Sequence, residues 1–145
     1  MSTKNNKFIY NRREGRILAF QTIFAYDFLN NKTLDNLLNF DWLEKKVSKE
    51  SLDYAVYLIK GTIENLDIID KHIKSKLINW DFNRISSIDK AILRFSIFSL
   101  LFDKNLPEKV IINEAVEIVK EFGSEESYKF VNGILDAIRK SKESS

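Results

Sequence analysis

The sequence has no cysteine, one proline, one histidine, one methionine and four glycines in 145 residues. Without thiols there is no disulfide framework, thiolate zinc site, cysteine nucleophile or Cys/His dyad, and a cytoplasmic protein is favoured. Gly15, Gly61, Gly123 and Gly133 are too scattered to cradle a phosphate, so P-loop and dinucleotide fingerprints are missing. The lone His72 sits among Lys71, Lys74 and Lys76 on what reads as a solvated helix face, a poor setting for a catalytic base. Long apolar runs are also lacking. The longest, Ala91 to Phe102, is interrupted by Arg94 and two serines, and Met1 to Asn6 is polar, so neither a membrane span nor a signal peptide is expected. These absences leave no catalytic residue, metal ligand set or cofactor site, and no enzyme class is suggested.

What remains is a soluble globular composition, 44% hydrophobic and 30% charged, with 11 Phe, 5 Tyr and 2 Trp to fill a core. The length fits one cooperative domain. Net charge is only +2, yet residues 1 to 16 carry Lys4, Lys7, Arg12, Arg13 and Arg16 against Glu14, which is +4 locally and leaves −2 for the rest. Lysine outnumbers arginine 17 to 6, but three of the six arginines fall between positions 12 and 16. That clustering points to a need for guanidinium geometry at one spot.

Apolar spacing supports helices throughout and strands almost nowhere. A first helix is expected from about Asn11 to Leu29, ending in the turn Asn30 to Thr33, with apolar residues around most of its circumference. A second runs from Leu34 to about Lys45, and Ser48 caps a third through Ile63. A fourth carries Ile69, Ile73 and Leu77 towards Trp80. Ser86 and Asp89 resemble a capping box that opens a central fifth helix, Ser87 to Phe102. A sixth, about Asn113 to Phe122, stops at Gly123 in a left-handed cap. Ser124 caps a seventh, with Glu125 and Glu126 in its first turn. Residues 1–10 read as a flexible polar segment, 11–140 as one all-helical domain and 141–145 as a flexible tail.

The cluster Asn11, Arg12, Arg13, Glu14, Gly15, Arg16 is the informative one. At 3.6 residues per turn, positions 12, 13 and 16 fall within about a 100° arc, so three guanidinium groups would fan from one side of the first turn. Exposed N–H groups and three arginines together suit a phosphate backbone. Phe130 lies off the core stripe of the seventh helix, beside Lys129, and could stack on a base. Phe122 falls inside the apolar stripe of Ile118 and Val119, which favours core packing. Gly133, inside the seventh helix at a cost of about 1 kcal/mol against Ala, suggests a close helix approach.

Three motifs now carry a resemblance. From Pro107 to Asp136 the chain reads INEAVE, FGSEES and KFVNG in order, and this stretch resembles the signature of the NusB family of bacterial transcription antitermination factors. Upstream, RREGRILAFQTIF resembles that family's arginine-rich first helix and IDKAILRFSIFSLL its central helix. Glu14 stands where relatives often have another basic residue, which lowers the expected RNA affinity.

The resemblance implies an all-α, seven-helix fold of two packed helical subdomains without catalytic activity. It implies binding to the boxA RNA of ribosomal RNA transcripts together with NusE, the small-subunit ribosomal protein, on elongating RNA polymerase with other Nus factors, and no membrane. By similarity Arg12, Arg13 and Arg16 meet RNA, joined by Phe122, Glu126, Lys129 and Phe130, while Phe24, Asp89 and Arg94 face NusE. It also allows a homodimer. Two other readings stand beside it. One is a relative of the RNA-recruiting domain of ribosomal RNA cytosine methyltransferases, which calls for a longer chain with a cofactor-binding glycine motif. The other is a helical protein-interaction adaptor whose arginines serve solubility.

Overall fold

The computed structural model describes residues 3–29, 34–44 and 46–143. Among them are seven α-helices: α1 (Thr3–Phe28), α2 (Leu34–Leu38), α3 (Lys49–Glu64), α4 (Leu66–Lys76), α5 (Ser87–Phe102), α6 (Glu108–Phe122) and α7 (Glu125–Glu143), with a short 3-10 turn at Phe82–Arg84 and no strand. The expected turn Asn30 to Thr33 and the expected helix end at Lys45 lie outside the described residues. The chain forms two compact units, divided within α3 between Lys60 and Gly61.

In the first unit α1 buries Leu18, Ala19, Phe20 and Ile23, and the Thr22 hydroxyl donates to the Leu18 carbonyl at 2.7 Å, so even its polar residue on this face is satisfied within the helix. Helix α1 starts at Thr3, well ahead of the expected Asn11, because no proline or glycine interrupts residues 3–11. Helix α2 is cut short at Leu38. The Asn39 side chain accepts from the Asp41 N–H at 3.0 Å, Phe40 takes a positive φ of 56°, and the Trp42 indole donates to the Leu37 carbonyl at 2.9 Å. Ser48 caps α3 as expected, its Oγ accepting from the Ser51 N–H at 3.2 Å. Gly15 lets α3 come close, since a Cβ there would lie 2.9 Å from Tyr54 Cδ2 and 3.0 Å from the Ser51 carbonyl.

The second unit is built around α5, in which every residue from Ala91 to Leu100 is buried. Helices α4, α6 and α7 pack against it and enclose Ile69, Ile73, Ile118, Leu135 and Ile138, all 0–1% exposed. Ser86 accepts from the Asp89 N–H at 3.1 Å, the cap that its spacing predicts. Gly61 faces Phe98 so closely that a Cβ would fall 2.1 Å from the ring, making this the glycine a helix approach demands. Helix α6 begins directly after Pro107, earlier than the expected Asn113, as proline is well suited to a helix start.

Gly123 departs from expectation. Its φ of −108° and ψ of −167° are extended, so the helix does not end in a left-handed cap. What glycine provides there is room: its N–H donates to Val119 O at 2.7 Å, and a Cβ would come within 3.0 Å of the same oxygen. The chain then turns sharply into α7, capped by Ser124 Oγ, which accepts from the Ser127 N–H at 3.1 Å.

Candidate nucleic-acid interface

The three clustered arginines sit in the third and fourth turns of α1, not at its start, so the free N–H groups of a helix N-terminus do not add to them. Tyr54 of α3 instead lies beneath two of them, Arg12 and Arg16. The Arg12 guanidinium lies 4.0 Å from the Tyr54 ring centroid and that of Arg16 lies 5.5 Å away. Arg16 is only 5% exposed, Arg12 is half-buried and Arg13 is exposed. The patch is therefore graded. Arg13 and Arg12 present charge to solvent, and Arg16 is largely part of the packing beneath them.

In the second unit, Glu126, Lys129 and Phe130 come together on the first turns of α7, along a groove of about 710 Å³. Phe122 is half-buried at the end of α6 and is not among the residues lining it. The opposite wall comes from the segment after α4 and includes Trp80 and Arg84. Trp80 and Phe130 approach with ring centroids 6.3 Å apart and planes at 41°. Sequence reasoning passed over Trp80 as the end of a helix. The signal available was a tryptophan beyond the last residue of the apolar stripe of α4. Gly133 also lines the groove, and a Cβ there would meet nothing within 4 Å, so it is not the close-packing glycine its position suggested.

Of the residues assigned to a protein partner, Phe24 is half-buried on α1, stacked on Phe28 at 6.4 Å with planes at 9°. Phe28 itself is 73% exposed, which makes the end of α1 the apolar surface of the first unit. Asp89 and Arg94 lie inside the second unit, not on its surface. Arg94 is 6% exposed and makes a two-point pair with Asp70, Nε to Oδ1 at 3.0 Å and Nη2 to Oδ2 at 2.9 Å. Asp89 lines the groove at 7% exposure; its Oδ2 accepts from the Ser127 hydroxyl at 3.0 Å, and its Oδ1 has no partner. Burial pushes this carboxyl above its ordinary pKa, against the hydrogen bonds from Ser127 and Ser86 that pull it down. The placement follows from the helical wheel of α5, which is buried almost all round.

Among the described residues no group of three His, Asp or Glu side chains could hold a metal ion, and no helix is long and apolar enough to cross a membrane. The first unit offers a cluster of cations, and the groove of the second offers aromatic rings, hydroxyls and an unused acceptor.

Comparison with known proteins agrees with this inventory. The model of the NusB family matches residues 13–140. A curated relative from Treponema denticola, named transcription antitermination protein NusB, is 46% identical over 130 residues, covering 88% of this chain and 95% of its own. The solved structure of Thermotoga maritima NusB superposes with a TM-score of 0.81 at 40% identity, covering 89% of this chain and 90% of that one. A chain from a complex of antitermination factors NusB and NusE with double-stranded RNA superposes at 0.76 with 24% identity over 91% and 98% of the two chains, a likeness of fold. With Arg13 and Arg16 of the first helix, the buried central helix and the groove on α7 all falling within residues that the family model matches, the chain belongs to the NusB family.

Proposed function

We propose that this protein is a cytoplasmic transcription antitermination factor that binds the boxA RNA of ribosomal RNA transcripts together with NusE. It acts without catalysis, in a complex on elongating RNA polymerase with other Nus factors. The observation that carries the reading is the family match over residues 13–140, joined to relatives that bear the antitermination name at 46% identity. The two patches supply its physical content. Arg12 and Arg13 contact RNA phosphates from the first unit, with Arg16 holding Tyr54 beneath them. In the second unit Lys129 meets the backbone, Phe130 offers a ring face and Glu126 accepts from base donors, with Phe122 supporting the turn between α6 and α7.

NusE meets the exposed end of α1 at Phe24. Asp89 and Arg94 serve NusE binding within the second unit, by fixing the start of α5 and the segment around Phe82. Titration of the full chain with a boxA RNA oligonucleotide, with and without NusE, tests the proposal. Binding that weakens with salt and tightens when NusE is present is the expected result. RNA binding that neither responds to salt nor gains from NusE would leave the reading without support, and NusE binding alone would favour the adaptor.

A further inference from the structure

Within the first unit, the arginines of α1 lie over a small stack of rings on α3. Tyr54 is 6% exposed, and its ring faces that of Tyr57 at 6.1 Å with planes at 22°. Tyr57 is 45% exposed, so the stack runs from the interior of the unit out to solvent. Gly15 gives Tyr54 its place, since Cδ2 of the ring lies 2.9 Å from where a Cβ would stand. That glycine falls between Arg13 and Arg16 in sequence. The motif that carries the three cations therefore also carries the gap that admits the ring.

The Tyr54 hydroxyl is buried and finds no hydrogen-bond partner among the described residues. A hydroxyl buried in that way opposes folding, so what this position contributes is the ring and its face. Arg12, at 4.0 Å from the ring centroid, is in face contact, whereas Arg16 at 5.5 Å is near the outer limit for such an interaction. The donors of a guanidinium lie in its plane, so a ring against its face takes none of them. A lysine ammonium is a point charge with no plane to orient. Stacking thus gives a physical reason for arginine at position 12 in a chain with 17 lysines and 6 arginines. An arginine already laid on a ring has given up part of its rotamer freedom on folding and loses less of it when it meets an anion.

We propose that Tyr54 is a positioning residue for RNA binding: seated through Gly15 and steadied by Tyr57, it holds the Arg12 guanidinium in a fixed plane, so that Arg12 engages phosphate by oriented donors as well as by charge. The inference rests on the RNA-binding reading above and adds to it a residue of α3 that itself makes no RNA contact.

The test uses the full chain and the boxA oligonucleotide, with a thermal melt recorded for each variant. Arg12→Lys keeps the charge and loses the stacked plane, so it should bind about 2- to 30-fold more weakly with the salt slope of the parent. Tyr54→Leu should weaken binding by a similar factor. Tyr54→Phe keeps the ring and removes the unpaired hydroxyl, so it should bind as the parent does and melt no lower. In an Arg12→Ala background Tyr54→Leu should weaken binding no further, because the group it positions is gone. A Tyr54 that served only packing would add its loss in full there. Such additivity, a Tyr54→Phe loss equal to that of Tyr54→Leu, or Arg12→Lys binding as tightly as the parent would each overturn the positioning role. Should Tyr54→Leu fail to fold, Arg12→Lys and Tyr54→Phe decide between them. If Arg12→Ala with Arg13→Ala still flattened the salt slope after the positioning role had failed, the RNA-binding reading would stand without it. Failure of the parent to bind the oligonucleotide would overturn both.

Discussion

The arginine patch of the first unit and the aromatic groove of the second are built on opposite principles. The patch comes from neighbouring positions on one helix, Arg12, Arg13 and Arg16, with Arg12 and Arg16 laid over one ring, Tyr54, and the attraction of such charges is long-ranged and screened by salt. The groove gathers Trp80, Asp89, Phe130 and Gly133 from three separate stretches of chain, and what it offers is shape and ring surface more than charge. Even their arginines differ. Arg13 is exposed on the first unit, while Arg94 is buried and paired with Asp70.

Substitutions in the two regions sharpen that contrast, taken from the largest expected effect. Arg94→Ala leaves Asp70 without its partner inside the second unit and should cost about 3 kcal/mol in urea unfolding, whereas Arg13→Ala should change stability by less than about 0.5 kcal/mol. Equal losses for the two would erase the distinction. Next, Arg12→Ala with Arg13→Ala removes two phosphate contacts. The log–log salt slope should fall by about 1.4, which is roughly 50-fold weaker binding at 50 mM salt if the proteins converge at 1 M. Adding Arg16→Ala should lower stability more than it lowers the slope, because Arg16 is buried. Phe130→Ala should weaken RNA binding by about 1–3 kcal/mol at every salt concentration, read by filter binding or anisotropy.

The smallest effect concerns pH. Burial raises the Asp89 carboxyl, so its contribution to stability is fully present below the ordinary carboxylate range and is lost as pH rises through the raised folded value. Asp89→Asn stays neutral and should therefore gain on the parent between acid and neutral pH, by less than about 1 kcal/mol in thermal melts. A parent that gained on Asp89→Asn as pH rose would reverse the assigned direction.

Much of the fold was legible in the sequence because its signals are local. The all-round apolar pattern of α5 and the Ser86, Ser48 and Ser124 caps depend only on neighbouring residues, and each stands where the spacing puts it. The errors arise where tertiary contact overrides the local rule. Gly123 has the composition of a left-handed cap, but the close carbonyl of Val119 explains the glycine instead. The close approach expected at Gly133 is found at Gly61 instead, since only the fold shows which glycine has a ring against it. The arginine cluster was visible as a run of residue types; its Tyr54 platform on another helix was not. The exposure of Trp80 depends on the left-handed Asn79, which no periodicity encodes. Asp89 and Arg94 were read as surface charges because a sequence shows a charge without its burial.

The central claim is that one patch works by charge and the other by contact. Its most direct test is the salt dependence of boxA RNA binding measured side by side for the parent, the Arg12→Ala, Arg13→Ala double variant and Phe130→Ala. The account predicts that the double variant flattens the slope by about 1.4, while Phe130→Ala shifts the line downward in parallel. Parallel lines for the arginine variant, or a flattened one for Phe130→Ala, would contradict it.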